Sequence, residues 1–186
     1  MPIEILETER LRIRQFHESD LDRCRQFRRE VFALDESPNR ARSWLLWTID
    51  SYRELSYLGQ PPYADYAVEI KDSGELVGAV GIVPALVPWG ALKGNPADQL
   101  LSPEIGLFWG IMPDFRRRGF ASEAAGALLA YLFHDLAARQ VVATTERDNI
   151  ASRRTMQRLG MRLLRNPNPE PHWCQVVGLI EHSGER

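Results

Sequence analysis

Apolar and polar residues alternate through Leu11, Arg12, Ile13 and Arg14, which predicts a strand with one apolar face. Ser19-Asp20 then offers a helix cap. Leu21, Cys24, Phe27 and Val31 follow at helical spacing, so a helix is expected over about 20–33. Residues 35–40, with Pro38 and Asn39, read as a break. Residues 40–58 predict a second helix carrying Trp44, Trp47, Tyr52 and Tyr57. Two β-rich runs, Tyr66–Ile70 and Leu76–Ile82, flank Asp72-Ser73-Gly74 and predict a hairpin. The proline- and glycine-bearing stretch 84–103 reads as a long loop. Beyond it come a strand at Glu104–Met112, a turn at Pro113–Arg118, an alanine-rich helix at Phe120–Arg139 and a buried strand at Val141–Thr145. Asn149 caps a short helix that ends at Leu159, with Gly160 as its C-terminal stop. Runs at 162–164 and 173–180 read as two last strands. Six or seven strands interleaved with about four helices predict one mixed α/β (α+β) domain over residues 1–186.

Composition narrows the class. The 186 residues carry 23 Lys+Arg and 25 Asp+Glu, with a formal net charge of -2, and 44% are hydrophobic. These values fit a globular chain and argue against a dedicated nucleic-acid binder, which would carry a basic excess. Cys24 and Cys174 are far apart and form no zinc-ligand pattern, so two reduced thiols and no metal are expected. The acidic N-terminus is unlike a signal peptide. The weakly charged stretch 76–92 is too broken by proline and glycine for a membrane span. A soluble cytoplasmic protein is the expectation.

One segment changes the picture. Pro113-Asp114-Phe115-Arg116-Arg117-Arg118-Gly119-Phe120-Ala121 joins a predicted strand to a predicted helix. The first amides of a helix lack internal partners, and the dipole there favours anions. Gly119 lets a phosphate approach the backbone, Ala121 keeps the next turn clear, and the arginines add forked cationic donors. The segment reads as an anion cradle. Neither the P-loop pattern nor the dinucleotide-binding glycine pattern is present.

Arg116-x-x-Gly119-x-Ala121 after a strand resembles the pyrophosphate loop of the GNAT superfamily of N-acetyltransferases. Thr8-Glu9-Arg10-Leu11-Arg12-Ile13-Arg14 with Ser19-Asp20 resembles that family's opening strand and helix. Glu104-Ile105-Gly106-Leu107-Phe108-Trp109 and Gly119–Ala124 are similar to the branch containing ribosomal-protein N-terminal acetyltransferases. Asn149-x-x-Ser152 through Leu159-Gly160-Met161 is similar to its penultimate helix. The likeness spans about residues 8–182. It implies a mostly antiparallel sheet splayed between its fourth and fifth strands, with acetyl-CoA in the split and no metal. It further implies that the amides of Arg116, Arg117, Arg118, Gly119, Phe120 and Ala121 hold the pyrophosphate. Backbone groups at Ile111 and Met112 would meet the pantetheine and the acetyl carbonyl, with Asn149 and Ser152 along the same arm.

The implied activity is acyl transfer to a primary amine, on a protein or peptide N-terminus or a small molecule. The amine attacks directly in a ternary complex. An acyl-CoA-binding module without catalysis is the alternative. Glu104 is the candidate base, with Gly106 and Gly110 on its face of the strand leaving space beside it. The position where many relatives carry an acidic tyrosine is Met156 here, so Ser152 is the substitute donor to the leaving thiolate. Trp44, Trp47, Trp89 and Trp173 are candidate walls of an acceptor pocket. Asp35, Glu36, Asp50 and Asp65 are candidates to attract its ammonium, and His172 is a candidate for its rim. The resemblance leaves monomer and homodimer open.

Overall fold

The computed structural model describes residues 3–98 and 100–182. In chain order the elements are β1 (Ile5–Glu7), β2 (Leu11–Arg14), α1 (Leu21–Phe32), α2 (Pro38–Tyr57), β3 (Ala64–Ile70), β4 (Leu76–Val87), α3 (Trp89–Leu92), β5 (Ser102–Ile111), α4 (Phe120–His134), β6 (Gln140–Thr145), α5 (Ile150–Arg158), β7 (Arg162–Arg165) and β8 (Val176–Glu181). The strands follow the order β1-β2-β3-β4-β5-β6-β8-β7 in a mostly antiparallel sheet with one parallel pair, β5 with β6. The chain divides into two compact units, Met1–Ile82 with Phe108–Leu128 and Val83–Leu107 with Leu129–Arg186. No helix among the described residues is long and apolar enough to cross a membrane.

In the first unit, β2 and β3 pair in the register Ile13↔Val68, and β3 and β4 in the register Asp65↔Gly81. Helices α1 and α2 supply Cys24, Phe27 and Leu45 to a core that also takes Phe16, Ala67, Ala79 and Met112. The approach of α1 to the sheet depends on missing side chains. A Cβ on Gly110 would stand 3.0 Å from Val31 and 3.2 Å from Phe27, and one on Gly78 would run into the Gly110 carbonyl. The space expected beside Glu104 is therefore filled at Gly110 by α1. At Gly106, in the second unit, it is filled by Val83 and Ala85.

In the second unit, β6 pairs with β8 along its whole length, from Gln140↔Glu181 to Thr145↔Val176, and β8 pairs with β7. Val87, Val142, Cys174, Val177 and Leu179 form its core. Where β5 meets β6, the parallel register is one pair, Gly106↔Val142. An ordinary parallel ladder between strands of this length would carry several.

The differences from the sequence reading have local causes. The sheet has eight strands because β1 forms an edge hairpin with β2, and three residues are too few to show a period. Strand β4 continues to Val87 through Pro84, which is exposed on the solvent side of an alternating stretch, so both ends of the expected long loop are strand, and α3 lies within it. The expected break at 35–40 is partly helix. Ser37 caps α2, its hydroxyl accepting from the Arg40 amide at 3.3 Å, and Pro38 sits at the first helical position, where its missing N–H is harmless. Helix α4 stops at His134, short of Arg139, and the turn after it places Ala137 at φ 50.

Replacing Ser37 by Ala removes the α2 cap and should lower stability by about 1 kcal/mol. Urea unfolding reads this directly, with an unchanged midpoint excluding a capping role.

Candidate active site

The arginine-glycine segment forms a turn between β5 and α4 in the first unit. Pro113–Phe115 make one 3-10 turn. Arg117 (φ 62) and Gly119 (φ 85) then take left-handed backbone conformations, a geometry glycine adopts freely and arginine does not. Arg116 is anchored through Nε, which donates to the Ile111 carbonyl at 2.9 Å. Arg118 donates to the Asp114 carbonyl at 3.1 Å and lies 5.2 Å from the Phe115 ring centroid. All three arginines are exposed, and none has a carboxylate partner among the described residues. Phe120 is buried and Ala121 half-buried. Next to Ala121, Ser122 has a buried hydroxyl oxygen with no hydrogen-bond partner among the described residues.

A carboxylate missed by the sequence reading fixes this helix start. Glu123 accepts from the Thr8 hydroxyl at 2.6 Å, from the Arg10 amide at 3.0 Å and from the Arg10 guanidinium at 2.8 and 2.5 Å. Burial works against its charge, but the hydrogen bonds from Thr8 and Arg10 outweigh this and hold Glu123 below the ordinary carboxylate range. Arg10 also lies 4.8 Å from the Phe120 ring centroid, and its guanidinium would stand 3.3 Å from a Cβ on Gly119. Thr8 and Arg10 lie within a segment already singled out, but a partner 113 positions away has no local signal.

At the end of β5, the Met112 amide donates to the Val77 carbonyl at 2.9 Å and is committed to β4. Strand alternation turns the Ile111 amide to the other side.

In the second unit, Glu104 is half-buried and both its oxygens are engaged. Trp89 Nε1 donates to one at 2.5 Å and Gln140 Nε2 to the other at 2.7 Å. Trp89 and Gln140 also border an open groove of about 550 Å³ with Leu92, Leu164 and Leu179 in its lining. Asn149 caps α5, its side-chain oxygen accepting from the Ser152 amide at 3.0 Å. The Ser152 hydroxyl has no partner among the described residues. Met156 is fully buried, and its sulfur would stand 3.1 Å from a Cβ on Gly178, so it is a packing residue of the α5–β8 contact.

The remaining candidates separate by environment. Cys24 and Cys174 are buried thiols; burial pushes Cys24 up to about 12 and Cys174 upward as well, which suppresses the thiolate. Among the described residues no three His, Cys, Asp or Glu side chains are placed to hold a metal. His172 faces Glu170 at 3.3 Å. Trp47 and Trp173 are exposed at 67% and 51%. Trp44 is half-buried, with the Arg28 guanidinium 4.3 Å from its ring centroid. Glu36 forms a two-pronged pair with Arg28 at 2.7 and 2.8 Å, whereas Asp50 meets only exposed Arg53. Asp65 stands apart. It is half-buried and has no ion-pair or side-chain hydrogen-bond partner among the described residues. Burial pushes its carboxyl up to about 6, against the pull of the Arg28 charge.

A family model for the acetyltransferase (GNAT) domain matches residues 10–162. The chain belongs to the GNAT acetyltransferase family. A curated relative from Bacillus subtilis, the uncharacterized N-acetyltransferase YoaA, is 28% identical and aligns over 95% of this chain and 97% of its own. A second from that organism, the uncharacterized N-acetyltransferase YnaD, is 42% identical over 59 residues, about a third of each chain. Among solved structures, an acetyltransferase from Agrobacterium tumefaciens has a TM-score of 0.69 at 21% identity, covering 97% of this chain and 96% of that one. RimL, a ribosomal L7/L12 α-N-protein acetyltransferase solved with coenzyme A, has a TM-score of 0.69 at 18% identity, covering 98% and 100%. This GNAT chain is thus an acetyltransferase with the family's mixed α/β fold.

Removing the charge at Glu123 should loosen the α4 start. Glu123→Gln should cost about 1.5–3 kcal/mol at pH 7, the range for hydrogen bonds to a charged group. A lowered carboxyl contributes stability above its unfolded pKa and loses it as pH falls through the folded value. The gap between variant and wild type should therefore close on acidification below about pH 4. A gap that persists at pH 3 would mean that shape, not charge, is lost.

Proposed function

We propose that this acetyltransferase moves an acetyl group from acetyl-CoA to a primary amine, on a protein or peptide N-terminus or a small molecule. The observation that carries the reading is the helix start at Arg116–Ala121. Exposed arginines without carboxylate partners, a left-handed Gly119 and the orphaned Ser122 hydroxyl suit a highly anionic diphosphate. Relatives solved with coenzyme A or acetyl-CoA support the choice of donor.

Bound acetyl-CoA supplies an activated thioester. The amine nitrogen attacks its carbonyl, a C–N bond forms, the C–S bond breaks, and the amine's extra proton passes to a base or to water. The geometry supports the following roles for this chain. Arg116, Arg117 and Arg118 with the amides of Gly119, Phe120 and Ala121 bind the diphosphate. Met112 supports the end of β5 through Val77, which leaves the Ile111 amide to polarise the thioester oxygen. Asn149 orders the first turn of α5, and the free Ser152 hydroxyl donates toward the leaving sulfur. Glu104 accepts from two neutral donors, and we assign it the positioning of Trp89 and Gln140. Direct transfer is favoured over an acyl-cysteine because both thiols are buried and held neutral.

Saturation with CoA at a hundred times its dissociation constant should stabilise the fold by about 2.7 kcal/mol. Gly119→Glu should abolish that response, because its carboxylate would meet the diphosphate charge. A full response in the variant removes the cradle from the account. Thiol release from acetyl-CoA that requires an added amine identifies the transferase, whereas CoA binding without release across an amine panel identifies a binding module.

A further inference from the structure

We propose that Asp65 is the residue that recognises the acceptor's ammonium group, on the face of the sheet that also carries Phe108. This deepens the acetyl-transfer reading and rests on it for the identity of the ligand as acceptor.

Four observations, all within the first unit, converge. Asp65 stands opposite Gly81 in the β3–β4 register, and a Cβ on Gly81 would run into the Asp65 carboxylate. The carboxylate therefore lies over the glycine, in the place a side chain would fill. The antiparallel register set by the Met112 amide on the Val77 carbonyl carries Gly81 to the level of Phe108 on β5. Asp65, Gly81 and Phe108 thus follow one another across three strands on one face, with the carboxylate over the glycine. That face is the one α1 covers: Phe108 lies 5.7 Å from Phe32 between ring centroids, and Gly110 packs on Phe27.

The nearby charges are already paired, and Asp65 is not. Arg28 of α1, the cation that acts on Asp65, gives its guanidinium to Glu36 and to the face of Trp44. From α2, the Tyr52 hydroxyl donates to the backbone carbonyl of Asp65, not to its carboxylate. From β4 the facing residue is Gly81. A desolvated carboxylate on a face that carries aromatic rings, lacking an ion-pair partner of its own, has the chemistry of a site for an alkylammonium group. Phe32, at the end of α1, is 41% exposed, and Asp65 itself is half-buried.

The test uses full-length protein saturated with CoA, with butylamine as the probe and butan-1-ol as its neutral counterpart. Calorimetry of the wild type should show at least tenfold tighter binding of the ammonium. Asp65→Asn should bind the two alike, with its CoA-induced thermal shift unchanged. With acetyl-CoA and either butylamine or Ala-Ala-Ala amide, the same variant should raise KM for the amine at least tenfold and change kcat less than threefold. Wild-type kcat/KM for the amine should fall as pH drops through about 6, beyond the common effect of amine protonation, and Asp65→Asn should lose that extra limb. Asp65→Asn should also melt no lower than wild type at pH 7.5, since it removes a charge that burial disfavours. Gly81→Ala, which displaces the carboxylate without removing it, should reproduce the rise in KM. Equal ammonium affinity in wild type and Asp65→Asn overturns the inference. Absence of amine-dependent thiol release in the wild type overturns acetyl transfer instead, and the calorimetric comparison still decides on Asp65.

Discussion

Four hydrogen bonds converge on the carboxylate of Glu123, and the position of the α4 start depends on them. A helix N-terminus attracts anions only where its free amides point, so a small tilt of the first turn would scatter the donors. Thr8 and Arg10 belong to the edge hairpin β1–β2, which makes a three-residue strand at the end of the sheet part of the site's scaffold. Arg10 serves twice, bridging Glu123 and covering Phe120. A negative side chain in the first turn would otherwise compete with an anionic ligand. Pairing with Arg10 neutralises it while keeping its geometry.

Much of this was legible in the chain itself. The 3.6-residue spacing in α1, the hairpin about Asp72-Ser73-Gly74, the Asn149 cap and the Arg116–Ala121 turn each express short-range physics, and each lies where its pattern puts it. What stayed hidden is of two kinds. Some features are too short or too weakly patterned, such as β1 and the continuation of β4 through Pro84. Others join residues far apart in sequence. Glu123 with Arg10, Glu104 with Gln140 and Asp65 over Gly81 are invisible to any window of a dozen residues. Composition around Glu104 even pointed the wrong way: Gly106 and Gly110 promise room, and the structure spends it on tight packing of Val83 and of Phe27 with Val31.

The acidic residues show how environment sorts one chemistry into several roles. Glu36 is spent on Arg28, Glu123 on Arg10, and Glu104 on two neutral donors. Asp65 keeps a charge at neutral pH that burial opposes by about 3 kcal/mol, taking its rise from 3.8 to about 6. A fold selected for stability alone would replace such a residue with Asn. Its presence marks a place where stability and recognition pull in opposite directions.

Met156 has a consequence of another kind. Its side chain is sealed against Gly178, so the position where the family resemblance leads one to expect a tyrosine belongs to the core of the second unit. The position is thereby closed to solvent and given over to packing. A tyrosine there would have to serve as both acid and core residue, and any drift in one duty would disturb the other. With methionine filling the volume, the Ser152 hydroxyl lies outside the core, in the first turn of α5, where substitutions leave the interior closed. Changes in that turn and packing in the core are thereby independent of one another.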